Sequence, residues 1–486
     1  MRQNVMLAEL NLTDTKLSVS RCAKHSFAID LPASTVLARR TCLAGKHVVF
    51  VSNSGLASGI MRGELPKSVL QQTLASHGVR VTLCGPPCNA TRLEKHLRQH
   101  GEKSLHACIM IKYADPPTHR FCRQRGALTL LDNVDNHRAF DAPFLGTEGY
   151  RSVDAVLVQT REHAEWLAAR KMRAIVLPHP HGNLNAWSVS TGVRHRPTGV
   201  GVLLGDAWRN QPPREDLDGI VAAGCALNVS TYIVDSPPNR GISYRLKPCP
   251  NASVSARLMR EAWLRERRRG EGPPSGLLAV TSAAEGGLGM SWCRDVAAEP
   301  HACEPAHADL NASVLGGVIG AHADAPNTSA HRSGGRRANS HSLLADTTRQ
   351  RSYYETRDLH ELVDIGLLWK PGHQTGGPFA IRNRPPTRMN WWWSHGVPTL
   401  GYPMVAYVEG AARAGYPVGL FNVTRVVDLP AVLCSLLRPA TRRCLREAAL
   451  RGSTLTSPQY SAQELLAAIC EIENRCPEVR RRRSRR

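Results

Sequence analysis

From His47 onward, short apolar runs alternate with stretches of helical periodicity. HVVFVSNS (47–54) is apolar until it ends in small residues, the pattern of a strand buried on both faces. A helix through Val69, Leu70 and Leu74 stops at Gly78, and VRVTLCG (79–85) follows as the next strand. The cycle continues with helix 91–100, strand 105–113, helix 117–125, strand 127–135, strand 153–160, helix 161–171 and strand 174–180. After a Pro- and Gly-containing linker at about 190–198 it restarts with strand 200–206, helix 214–223 and strand 227–236. It stops between about 265 and 351, where Gly, Ala, Ser, His and Arg dominate without periodicity, the mark of a disordered insertion or of a gene-model artefact. It resumes with helix 353–362, strand 363–369, helix 387–395, strand 398–402, helix 404–414 and strand 417–421, and helices 428–438, 441–451 and 461–472 close the chain.

Strands alternating with helices predict parallel sheets wound on both faces. The expected architecture is α/β, with two Rossmann-like doubly wound parallel-sheet domains facing a central cleft. Their bounds are 46–190 and 198–440, the second interrupted by the 265–351 insertion, between an extension (1–45) and a C-terminal helical and Arg-rich segment (441–486). A chain of 486 residues, 42% apolar, has ample core for two such domains.

Charge changes the picture only a little. The formal net charge of +22 favours anionic partners, but it is concentrated. Six of the last seven residues are Arg, and Arg265, Arg267, Arg268 and Arg269 fall at the edge of the low-complexity stretch. Aromatics make up 5% and do not interleave with basic residues as in a nucleic-acid stacking platform. The fourteen Cys do not form the dense framework of a small secreted domain; CGPPC (84–88) reads as structural thiols or a local disulfide rather than a zinc knuckle. N-x-[ST] sequons stand at Asn11, Asn89, Asn228, Asn251, Asn311, Asn327 and Asn422, compatible with a secretory lumen, whereas the N-terminus has no signal-like apolar run. An endomembrane lumen is expected if the N-terminus is incomplete, and the cytoplasm otherwise.

Ligands of parallel α/β sheets bind outside the carboxyl ends of the strands, and the polar clusters of this chain sit there. SNSGLASG (52–59), with Ser54, Gly55 and Gly59, is a loop of small residues that lets backbone amides approach a ligand, or a plain turn. LDNVDNHRAF (131–140) puts Asp132 and Asp135 at a strand end, as a general base or as helix caps. LPHPHGN (177–183) brings His179, His181 and Asn183 to the last strand end of the first domain, where an imidazole can act as base or hydrogen-bond partner.

The fourth cluster is RPPTRMNWWWSHGVPTLGYP (384–403). Arg388, about two helical turns, then His395-Gly396-Val397-Pro398 and a new strand resemble the donor-binding segment of GT-B glycosyltransferases, in which a Lys or Arg opens a helix ending in GVP. The resemblance implies transfer of a sugar from a nucleotide diphosphate sugar to an acceptor hydroxyl, with no metal or other cofactor. Arg388 would hold the donor diphosphate with Arg209, which follows Gly205 in LLGDAWRN, and His395 belongs to the same donor side. Asp135 or His181 would serve as base, beside Asp132, and the loop with Ser54, Gly55 and Gly59 would lie on the acceptor side. The family's ribose-binding Glu position is Trp391 here, so Asn390 or Glu409 would take its place. Expected partners are the nucleotide-sugar donor and a glycan, lipid or protein acceptor, with the basic tail on anionic surfaces. The alternatives are a non-catalytic protein of the same fold and a polyanion or nucleic-acid binding protein using its tail.

Overall fold

The structure is a computed structural model that describes residues 42–52, 59–101, 104–113, 115–134, 148–182, 199–205, 212–235, 243–247, 362–369 and 383–475, with a few isolated positions. The expected insertion at 265–351, the helix at 353–361 and the Arg-rich tail lie outside these residues.

The first sheet has six parallel strands in the order β2-β1-β3-β4-β5-β6: β1 (His47–Ser52), β2 (Arg80–Cys84), β3 (Ala107–Ile111), β4 (Leu128–Asp132), β5 (Ala155–Val158) and β6 (Ala174–Val176). Every residue of β1 is buried because the sheet is covered on both sides. Val48 and Phe50 face a core shared with α1 (Leu65–Leu74) and the C-terminal helix α11 (Pro458–Arg475). Val49 and Val51 face the opposite core, with α2 (Ala90–Gln99), α3 (Pro116–Gln124) and α5 (Arg161–Ala168). A four-residue turn of helix, α4 (Glu148–Arg151), precedes β5.

Local chemistry sets the helix starts. Asn89, Asp115 and Thr160 each accept a hydrogen bond from the backbone N–H three residues on, capping α2, α3 and α5. Gly78, at φ +67°, provides the left-handed residue that closes the segment begun by α1. The chain crosses from one edge of β1 to the other between β2 and β3, so the topological switch point lies at the carboxyl ends of β1 and β3.

The second sheet has the order β11-β10-β7-β8-β9, built from β7 (Gly199–Gly205), β8 (Ser230–Asp235), β9 (Ser243–Lys247), β10 (Ile365–Leu368) and β11 (Thr399–Gly401). Its helices are α6 (Arg214–Ala226), α7 (Thr387–Ser394), α8 (Val405–Ala414), α9 (Leu429–Leu436) and α10 (Pro439–Leu455). Four strands are parallel, but β9 pairs with β8 antiparallel, which corrects the expectation of a second all-parallel sheet. SYRLK (243–247) is an edge strand with a charged residue at alternate positions and Leu246 exposed, a pattern too polar to read as a buried strand.

The strand expected at 417–421 is a 3-10 turn, Val418–Phe421. Pro417 has no N–H to give a ladder, and the edge of β11 is already satisfied. The Tyr416 hydroxyl accepts from Thr399 N (2.8 Å) and donates to Thr399 O (2.7 Å), standing where a further strand would pair. The remaining closing helices match the expected segments, with one addition. The C-terminal helix α11 returns to the first sheet, tied to it by a Cys42–Cys470 disulfide and by Glu473, which accepts from Lys46 (2.9 Å) and pairs with His106 (3.1 Å). Cys84 and Cys88 form a local disulfide, the second of the two alternatives read from CGPPC.

Candidate functional site

The segment after β1 continues through a π-helical turn, Ile60–Glu64, that carries Arg62 into the interior. Arg62 Nε donates to Asp132 Oδ2, the last residue of β4, at 2.7 Å, and the two side chains are 1% and 2% exposed. Arg62 Nη1 donates to the carbonyl of Pro178 after β6 (2.8 Å). One guanidinium therefore ties the carboxyl ends of three strands together. The same loop is held from the other side: Ser461 Oγ donates to Pro178 O (3.1 Å), and His181 N donates to Thr456 O (2.8 Å) between α10 and α11. His179 and His181 are buried. Burial and the neighbouring Arg62 charge hold the His179 imidazole well below its ordinary pKa, so it is neutral at physiological pH.

Segments after the carboxyl ends of the second sheet's strands meet this loop. Asn390, in α7, donates from Nδ2 to His179 O (2.7 Å). Asn383 donates to Glu162 (3.0 Å) and accepts from the hydroxyl of Thr160, both at the start of α5. Glu409, in α8, accepts from the backbone N–H groups of Arg161 (2.8 Å) and Glu162 (3.3 Å), capping α5 from the other sheet. Burial pushes the Glu409 carboxyl upward in pKa, partly offset by those two donors.

Arg388 occupies the second position of α7, whose N-cap, Pro386, provides no side-chain acceptor or donor to the first turn. It is half-buried and, among the described residues, makes no hydrogen bond or ion pair. Burial lowers its pKa from the ordinary value; nearby Tyr407 opposes that shift and Arg384 adds to it. Burial likewise raises the Tyr407 phenol against the pull of the two guanidinium groups. A cation at an uncapped helix N-terminus, with a second cation close by, favours an anion, because the helix dipole and the unsatisfied N–H groups carry the same sign.

α7 is fixed by its tryptophans. All three are buried. Trp392 lies over the sheet in a groove made by two glycines: a Cβ on Gly201 of β7 would stand 2.6 Å from its ring, and one on Gly366 of β10 2.7 Å. Trp393 donates from Nε1 to Thr399 Oγ1 (2.8 Å) and packs against Tyr416 and against Gly452 of α10, where a side chain would collide with it. Trp391 packs edge-on against Trp392 and beside the ring of His395 (4.5 Å between centroids). His395 Nδ1 in turn lies 2.8 Å from Trp391 O.

The expected site residues thus divide. Asp132, His181, Asn390 and Glu409 stand on the seam between the two sheets, each engaged with a partner across or along it. Arg388 stands in the first turn of α7, His395 closes the far end of α7, Gly205 ends β7, and Gly59 begins the helical segment that holds Arg62. Asp135, Arg209, Ser54, Gly55 and Asn183 lie outside the described residues. Sequence reasoning missed Arg62, Asn383, Arg384 and Tyr407. Nothing local to IMRGE marks Arg62, since its carboxylate is 70 residues away. Among the described residues no group of three or more His, Cys, Asp or Glu is placed to hold a metal ion, and no helix is long and apolar enough to cross a membrane.

The architecture defines a Rossmann-like α/β protein with one parallel and one mixed sheet. No family model matches the chain, and no curated protein matches it. Among solved structures, the N-terminal domain of trehalose-6-phosphate phosphatase from Candida albicans aligns over 88% of this chain and 97% of its own, at 10% identity and a TM-score of 0.39. A likeness at that level bears on neither activity nor ligand.

Proposed function

We propose that the protein is a glycosyltransferase of the GT-B type, moving a sugar from a nucleotide diphosphate sugar to an acceptor hydroxyl. The observation that carries this reading is Arg388: a half-buried guanidinium with no anionic partner among the described residues, on the uncapped first turn of a rigidly packed helix. A diphosphate bound there would receive the guanidinium charge and the first-turn N–H groups together. In the reaction the acceptor oxygen bonds to the anomeric carbon as the bond from that carbon to the diphosphate breaks. The leaving diphosphate takes the electron pair, stabilised by Arg388 and Arg209, and a base on the first-sheet side takes the hydroxyl proton. Asp135 or His181 is assigned that role. Asp132 Oδ2 is already taken up by Arg62, which favours Asp132 as the residue that positions the strand end. Asn390 is held to His179 O and Glu409 to α5, so a ribose contact would come from the remaining lone pairs of these groups.

The second reading, a donor-binding protein without transfer activity, is favoured by the same engagement of Asp132, Asn390 and Glu409. Slow donor hydrolysis separates the two. Incubation with a panel of nucleotide sugars should release nucleoside diphosphate from one of them, and Arg388→Ala should abolish the release. Tight donor binding with no hydrolysis and no transfer to any acceptor would select the second reading.

A further inference from the structure

Three of the seven sequons fall on described residues, and all three asparagines are exposed: Asn89, Asn228 and Asn422. Each stands at a junction between elements. Asn89 is the N-cap of α2, Asn228 sits in the turn from α6 to β8 at φ +56°, and Asn422 follows the Val418–Phe421 turn. Their hydroxyl partners two residues on are accessible as well, Thr91 and Thr424 exposed and Ser230 half-buried at the start of β8. A bulky hydrophilic oligosaccharide is compatible only with such positions. The thiol chemistry points the same way. The described residues hold disulfides Cys42–Cys470, Cys84–Cys88 and Cys225–Cys249, and Cys434 is also disulfide-bonded, a pattern that persists in an oxidising lumen and is rare in a reducing cytosol.

We propose that the chain matures in the lumen of a secretory compartment and carries N-linked glycans at Asn89, Asn228 and Asn422. In the modification, the side-chain amide nitrogen bonds to the anomeric carbon of a polyprenyl-diphosphate-linked oligosaccharide. The bond from that carbon to the diphosphate oxygen breaks, the polyprenyl diphosphate leaves with the electron pair, and the amide nitrogen loses one proton. Substitution at Nδ2 leaves Oδ1 untouched. The cap that Asn89 Oδ1 makes to Arg92 N (3.0 Å) therefore survives glycosylation. Asn228 lies at the amino end of β8, opposite the strand ends that meet at the candidate site, so a glycan there leaves that site clear. The proposal does not depend on the glycosyltransferase reading.

The test is site mapping on the full chain, directed into the secretory lumen of a eukaryotic cell by a cleavable leader. Enzymatic release of glycans in heavy-oxygen water converts each occupied Asn to a labelled Asp, and peptide mass spectrometry reads the three positions in both secreted and retained chain. Label at Asn89, Asn228 and Asn422 is expected. Thr91→Ala, Ser230→Ala and Thr424→Ala should each remove one label while keeping the asparagine and, for Asn89, the helix cap. Each site stands or falls by its own peptide, and a disulfide-bonded chain with all three unlabelled overturns the proposal. Equal melting temperatures for the lumenal chain and for chain made in a reducing cytosol with free thiols would overturn the compartment.

Discussion

Two arginines follow the carboxyl ends of strands in the two sheets, and their surroundings are opposite. Arg62 is buried, donates to Asp132 and Pro178, and holds three strand ends of the first sheet in place. Arg388 is half-buried, on a helix locked by two tryptophans, and none of the described residues pairs with it. Burying a charge is costly unless it is paired, and among the described residues Arg388 has no such partner. The contrast separates an arginine that holds the architecture from the one proposed to receive the donor diphosphate, although both follow the carboxyl ends of parallel strands.

The largest expected effect probes the closed side. Arg62→Ala removes the guanidinium from the buried Asp132 carboxylate and from Pro178 O, and should cost about 3–5 kcal/mol in chemical denaturation. Arg388→Ala should change stability by no more than about 0.5 kcal/mol. Equal losses would erase the distinction.

Packing beneath the open side comes next. Gly366→Ala would press a Cβ into Trp392, and the expected cost is about 1–3 kcal/mol, with weaker nucleotide binding because α7 shifts. Loss of stability with binding intact would show that Arg388 does not depend on that packing. Glu409→Gln weakens the cap that the second sheet places on α5 without touching either arginine, an expected loss of about 1 kcal/mol readable as a lower melting temperature.

The smallest effect is a pH dependence remote from both arginines. Burial alone would raise the Glu473 pKa, but hydrogen bonds and charge from His106 and Lys46 outweigh it and bring it to about 2, against an ordinary 4.5. A carboxyl lowered on folding contributes stability above the unfolded value and loses it as pH falls. The clamp of α11 should therefore weaken between about pH 4.5 and about pH 2, and Glu473→Gln should flatten the acid limb of the denaturation profile in that window. An unchanged limb would mean that other carboxylates set it.

What could be read from the chain follows from range. HVVFVS and ACIMI announce strands buried on both faces, because the apolar run itself carries the signal, and Gly78 and Gly415 mark helix ends through their positive φ. The 3-10 turn at Val418–Phe421 was illegible because its apolar spacing matches a short strand, and only Tyr416, reaching back to Thr399, shows that the edge is filled. The polar alternation of β9 hid an edge strand. At the candidate site, Arg388 is singled out in the sequence by its place before GVP, whereas Arg62 pairs across 70 residues and α11 returns to the first sheet across 428. No local pattern encodes contacts of that span.

Whether Arg388 receives a phosphate group is tested by calorimetric titration of the full chain with nucleoside diphosphates and their sugars. Binding of one nucleotide class is expected, weakened about 10- to 100-fold by Arg388→Ala while the melting temperature stays put, the scale of about 1.5–3 kcal/mol for a charge-assisted hydrogen bond. Folded protein that binds none of them, or that binds one with the same affinity after Arg388→Ala, would contradict it.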